Sequence, residues 1–159
     1  MSRPTRSMIT ELFVYGTLKR GECRESMWPR KPLRIREAFI RARLYDLGPY
    51  PAIRVDVVEG DQEDDDALDW VGGELWSFER RDVPATLLVL DEIEATNQRG
   101  YRNLYDHVLV RAYDRPNSRK SRLALAYQYG SQSRLAHSRC LRPRGGDSFV
   151  IWSAGSDAT

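Results

Sequence analysis

Apolar positions along the chain fall mainly into short continuous or period-two runs, with one period-3.6 stripe, so strands are expected to outnumber helices. Leu12-Phe13-Val14 is an uninterrupted apolar run, which fits a first strand over Glu11–Tyr15, buried on both faces and ending at Gly16. From Ala38 to Leu47 the chain alternates. Ala38, Ile40, Ala42 and Leu44 form a core face, and Phe39, Arg41, Arg43 and Tyr45 a charged one. Gly48-Pro49-Tyr50-Pro51 reads as a turn. Val71–Phe78 predicts a further strand, with Gly72-Gly73 weakening its start or marking a bulge. Asp82 is a good helix N-cap with Pro84 inside the first turn, and this helix is expected to end around Ala95-Thr96-Asn97. Asp106–Tyr113 and Arg122–Tyr129 read as strands flanking the turn-rich Asp114-Arg115-Pro116-Asn117-Ser118. The order is β-β-β-α-β-β.

Outside these elements the pattern thins. Residues 1–10 are expected to be a flexible leader, residues 11–140 one domain, and residues 141–159 a poorly ordered tail. The acidic run Glu59–Asp66 has no apolar anchor and lacks the alternating ligands of an EF-hand, which favours a solvated hairpin loop over a calcium site.

Composition narrows the function classes. At 159 residues, one domain with one site is the default. The net charge of +2 is the difference between 25 basic and 23 acidic residues, so no long-range field marks nucleic acid or an anionic membrane as a partner. Arg134, Arg139, Arg142 and Arg144 lack interleaved aromatics and read as solvated rather than phosphate-binding. No apolar run has the length of a signal peptide or a membrane span, so a cytoplasmic location is expected. Cys23, Cys140, His107 and His137 lack disulfide or ligand spacing, so no metal is expected. Neither cysteine has the setting of a nucleophile. Trp28 and Trp70 are expected to pack in the core or at a rim, and oligomeric state stays open.

Two features carry candidate chemistry. On a helical wheel Val83, Leu87 and Leu90 form one core-facing stripe, and Glu94 falls in its middle, with Asp91 on the flank and Glu92 opposite. An inward carboxylate at a helix C-terminus is pushed toward the protonated form by burial and by the helix dipole, which suits a general base near neutrality. The alternative is a structural glutamate that reaches solvent or pairs with Arg99 or Arg102. The second feature is Tyr15-Gly16-Thr17-Leu18. A glycine after a buried strand permits a turn whose successive N–H groups face one way and bind an anion or carbonyl oxygen, although an ordinary turn has the same sequence.

Phe13-Val14-Tyr15-Gly16-Thr17-Leu18-Lys19-Arg20-Gly21 resembles the opening signature of the γ-glutamylcyclotransferase-like family, which includes γ-glutamylamine cyclotransferases and AIG2-like proteins. Four more blocks follow in the family's order: Ala42–Ile53, Val71-Gly72-Gly73-Glu74-Leu75-Trp76, Leu90-Asp91-Glu92-Ile93-Glu94 and Ala124-Leu125-Ala126-Tyr127. The similarity spans about residues 11 to 130. After Glu94 the family continues into Gly and an aromatic residue, whereas this chain reads Ala95-Thr96-Asn97-Gln98-Arg99-Gly100-Tyr101. The family's Tyr-x-Arg falls at Tyr105-Asp106-His107 or at Tyr101-Arg102.

The resemblance implies an α+β fold, a small mixed β-barrel with a few short helices, whose cavity holds a γ-glutamyl group without a cofactor. It implies substrate contact by Tyr15, Gly16, Thr17 and Leu18, with Glu94 as acid/base. Tyr127 belongs to the closing strand, either lining the cavity or packed with its hydroxyl at the rim. The implied reaction is attack of the substrate's α-amine on its γ-carbonyl, releasing 5-oxoproline and an amine. A non-catalytic member of the fold that binds a small acidic ligand or a protein is the other reading.

Overall fold

A computed structural model describes residues 9–48, 50–55, 68–93, 105–129, 135 and 138–153. Glu94, the acidic run at 59–66, the helix end at 95–97, Arg99, Arg102, Arg134 and His137 lie outside these described residues. Strand β1 (Glu11–Val14) is buried along its whole length, as its unbroken apolar run requires. It lies antiparallel to β4 (Asp69–Ser77) and parallel to β6 (Ser121–Tyr129), so it sits at the centre of the sheet. On the far side of β4 runs the long β2 (Arg34–Asp46), and β5 (Tyr105–Tyr113) pairs with β6. Phe39 of β2 meets Tyr113 of β5, which closes the order β2-β4-β1-β6-β5 into a five-stranded mixed barrel. Closure removes the open edges that such strands would expose to water or to other chains. Two short strands, β3 (Pro51–Arg54) and β7 (Arg139–Leu141), pair with the last residues of β2.

Strand alternation splits the core in two. Phe13, Ile40, Leu75 and Val71 fill the barrel interior together with Ala38, Ala42, Ala112, Ala124 and Ala126. The small residues leave room for aromatic side chains inside a narrow barrel. Leu12, Val14, Trp76, Leu125 and Tyr127 point outward, toward helix α1 (Val83–Ile93). The helix follows a 3-10 turn at Arg80–Asp82 and buries Val83, Thr86 and Leu90. Its stripe therefore differs from the expected one. Thr86 is fully buried because its Oγ1 donates to the Asp82 carbonyl at 2.7 Å, whereas Leu87 is only half-buried. Among the described residues no helix is long and apolar enough to cross a membrane, and no group of acidic, His or Cys side chains is placed to hold a metal.

The strand pattern from sequence holds for five of the seven strands, and the departures share a cause. Phe39 and Tyr45 lie on the face of β2 expected to be charged, yet both are buried. Phe149 packs edge-on over Phe39 at 4.9 Å. In the chain beyond 141, expected to be a tail, residues 144–149 and 151 are exposed, but Val150 and Trp152 are anchored to the barrel. Val150 bridges Val71 in parallel, exchanging hydrogen bonds of 2.8 and 2.9 Å with Gly72 and Trp70, and Trp152 is 1% exposed. It occupies the β4 edge that β1 leaves uncovered, because β1 pairs only with residues 74–77. At the other end, Ile9 is buried and the Thr10 carbonyl accepts from Phe78, so packing begins inside the expected leader.

Gly72 and Gly73 mark no bulge, since β2 and β4 stay in continuous register from Arg34↔Ser77 to Ala42↔Asp69. They are places of close approach. A Cβ on Gly73 would lie 2.4 Å from the Val14 carbonyl oxygen and 2.7 Å from the Phe13 ring, and one on Gly72 would lie 2.8 Å from Ile151. Gly73→Ala is therefore expected to cost about 1–3 kcal/mol by overpacking. Thermal unfolding checks this against Gly145→Ala, where an added Cβ meets open space and the melting temperature is expected to stay unchanged.

Candidate functional site

Because β1 and β6 are parallel and β5 is antiparallel to both, the end of β1, the end of β6 and the start of β5 share one rim of the barrel. The start of β3 and the last turn of α1 reach the same rim. Between them is a cavity of about 60 Å³, open to solvent and lined by Phe13 to Leu18, Arg24, Tyr50, Pro51, Ile93, Tyr105 and Tyr127. The structure thus brings together Tyr15, Gly16, Thr17, Leu18 and Tyr127 from the sequence analysis. Glu94 lies outside the described residues, and its chain neighbour Ile93 is in the wall.

The loop after β1 is held from three sides. Lys19 N–H closes a turn on the Gly16 carbonyl at 3.1 Å, Arg24 N–H donates to the Thr17 carbonyl at 2.8 Å, and Trp28 Nε1 donates to the Leu18 carbonyl at 2.9 Å. These bonds use the carbonyls. Among the described residues, no backbone carbonyl engages the N–H groups of Gly16, Thr17 or Leu18. Such a run of amides suits an anion or a developing oxyanion. Gly16 is required here because a Cβ would sit 2.6 Å from the Pro51 ring. Glu74, from the Gly-Glu-Leu block, fixes the far end: it accepts from Arg20 N–H at 2.8 Å, Arg20 Nε at 2.9 Å and Trp76 Nε1 at 3.2 Å. Trp28 stacks on Trp76 at 4.2 Å, and Trp70 packs edge-on against Tyr113, both as rim aromatics.

Three tyrosines of the wall, Tyr15, Tyr105 and Tyr127, turn their hydroxyls to protein acceptors. Tyr15 Oη donates to the Tyr127 carbonyl at 2.5 Å and Tyr105 Oη to the Pro51 carbonyl at 2.7 Å. The cavity therefore meets mainly ring surface, with the loop amides as a polar counterpart. Lys19 points away, its Nζ donating to the Trp152 carbonyl at 2.6 Å. Burial pushes this ammonium below its ordinary value, with Glu22 and Glu74 pulling it back up.

Sequence reasoning gave no role to Asp91 and His107. Asp91 Oδ1 accepts from Tyr127 Oη and meets His107 Nε2, both at 2.7 Å. His107 and Tyr127 are directly opposed in the β5–β6 ladder, so one carboxylate oxygen on the helix reaches both. The flank position of Asp91 on the wheel was the available signal. A carboxylate flanking an apolar stripe, 16 and 36 residues from His107 and Tyr127 in sequence, has no partner visible before the strands are paired. The bond pins the last turn of α1 to the barrel rim, immediately ahead of Glu94.

Among solved structures, an AIG2-like protein from Mus musculus is 16% identical with a TM-score of 0.51, over 91% of this chain and 96% of that one. The uropathogenic E. coli protein c4763 is 16% identical with a TM-score of 0.52, over 83% and 87%. YkqA from Bacillus subtilis is 19% identical with a TM-score of 0.52 over 76% of this chain, which spans only 36% of YkqA. These likenesses bear on the fold. No curated protein sequence matches the chain. The family model described as γ-glutamyl cyclotransferase, AIG2-like, matches residues 12–147, so the chain, with its closed barrel and its Tyr-Gly-Thr-Leu cavity, belongs to that family.

Proposed function

We propose that this protein is a γ-glutamyl cyclotransferase, acting on a γ-glutamyl amine, peptide or γ-glutamylated metabolite. The observation that carries the reading is convergence on one cavity: Gly16, Thr17 and Leu18, whose amides no described backbone carbonyl engages, line the same space as Ile93, the residue before Glu94. Glu94 takes a proton from the substrate's α-ammonium. The freed amine nitrogen bonds to the γ-carbonyl carbon, and the carbonyl oxygen becomes an oxyanion held by the loop amides. The attacking nitrogen releases its second proton to water, and collapse of this intermediate breaks the bond to the leaving nitrogen, which receives the proton held by Glu94. The products are 5-oxoproline and a free amine. Tyr15, Tyr105 and Tyr127 shape the walls that hold the substrate chain folded, and the proximity so gained supplies much of the acceleration of ring closure.

The test is release of 5-oxoproline, read by mass spectrometry, from γ-glutamyl amino acids, γ-glutamyl-ε-lysine and γ-glutamyl amines. Turnover of at least one is the expected result. No product from any of them, with the protein folded and the compounds bound, would transfer the assignment to a binding role.

A further inference from the structure

The wall of the cavity contains a single formally charged residue among those described, Arg24. Arg24 reaches the cavity from the segment that follows the substrate loop. Its backbone is fixed at both ends, by its own N–H on the Thr17 carbonyl and by Met27 N–H on its carbonyl, at the start of the 3-10 turn Glu25–Met27. Of three carboxylates in this neighbourhood, two hold other donors and the third acts on Lys19. Glu25 Oε1 accepts from Gly21 N–H at 3.0 Å. Glu74 holds Arg20 and Trp76. Glu22 bears on the Lys19 ammonium. Among the described residues no carboxylate pairs with the Arg24 guanidinium, which is half-buried. The neighbouring cations are occupied: Lys19 donates to Trp152, Arg20 pairs with Glu74, and Arg30 lies 3.5 Å from Asp82.

Arg24 is the charged residue of a wall otherwise made by apolar and aromatic residues, Thr17 and the loop backbone, and a guanidinium beside amides that no described carbonyl engages suits a planar anion with two oxygens. We propose that Arg24 is a specificity-determining residue that pairs with a carboxylate of the bound molecule. This rests on the cyclotransferase reading for its substrate class, and the carboxylate has two possible sources: the α-carboxylate of the glutamyl half, or one carried by the leaving amine.

The experiment compares wild type, Arg24→Gln and Arg24→Lys on γ-glutamyl-glycine, which has both carboxylates, and γ-glutamyl-methylamide, which has only the first. In Arg24→Gln, KM is expected to rise about ten- to a hundred-fold, as loss of a charge-assisted pair dictates, with kcat changed far less. A rise with both compounds assigns the α-carboxylate, and a rise with γ-glutamyl-glycine alone assigns the leaving half. Partial rescue by Arg24→Lys is expected, because a point charge replaces the fork. KM within twofold for both compounds would overturn the proposal while leaving cyclotransfer standing. Should wild type turn over neither compound, calorimetry with glutarate and glutaramide separates the two claims. Tighter binding of glutarate that is lost in Arg24→Gln upholds the carboxylate site without the reaction, and equal binding of the two by wild type overturns it.

Discussion

Exchange of Glu94 for glutamine is expected to lower the rate of 5-oxoproline release by about a hundred- to ten-thousand-fold, the range for loss of a general acid–base group. Glutamine keeps the size and most hydrogen-bonding capacity of the side chain but cannot take the proton from an ammonium. The loss should therefore appear in kcat rather than KM, with the melting temperature unchanged. Glu94 follows Ile93, which lines the cavity, and by sequence spacing alone it is expected on the face that the structure shows as Val83, Thr86 and Leu90. Glu92, one turn face away and exposed, is the control, and Glu92→Gln is expected to retain full activity. A Glu94→Gln enzyme within tenfold of wild type would remove the assigned base and direct attention to Asp91, the other acid of that helix end, which bonds Tyr127 in the cavity wall.

How much of this could be read from the chain depends on whether an element's signal is local. β1, β2, β4, β5 and β6 each carry their own periodicity, and the turn after β1 carries its glycine, so the strands and the loop were visible in sequence. β3 is a four-residue strand beginning at a proline, too short to show alternation, and it exists because the end of β2 offers an edge. β7 has the same origin, since polar, arginine-rich surroundings give no pattern there, whereas the chain around Val150 carries an apolar run, Phe149-Val150-Ile151-Trp152, that its reading as a tail passed over. Gly72 and Gly73 read as strand-weakening from propensity alone, whereas the crowding that requires them comes from Val14, Phe13 and Ile151, remote in sequence. At the site, Tyr15 to Leu18 and Tyr127 were legible through their blocks. Arg24 and the Asp91–His107 contact were not, because both derive meaning only from what the folded chain places opposite them.

The strap at the C-terminal side leads to the second large effect. Trp152→Ala is expected to destabilise the protein by about 3–5 kcal/mol, the range for truncating a buried tryptophan, which for a chain of this size is a fall of roughly 6–20 °C in melting temperature. Trp152 is among the largest fully buried side chains and belongs to the interior cluster with Phe13, Tyr15 and Leu44. Its Nε1 lies 3.4 Å from Asp46 Oδ1, which also accepts from Gly48 N–H, so the indole is tied to the end of β2 as well as to the barrel interior. Its carbonyl accepts from Lys19 Nζ, one residue beyond the Tyr-Gly-Thr-Leu loop. Loss of the indole therefore acts on the site as well as on stability. The strap that holds Lys19 loosens, the loop amides lose their fixed direction, and turnover should fall further than the folded fraction alone explains. Trp152→Phe, which keeps much of the apolar volume, is expected to recover most of the stability, and a chain ending at residue 148 to match Trp152→Ala. A stability loss below about 1 kcal/mol in Trp152→Ala, the scale of a surface substitution, would mean that the indole contributes no more than surface packing and that the loop is positioned by Glu74 and Trp28 alone.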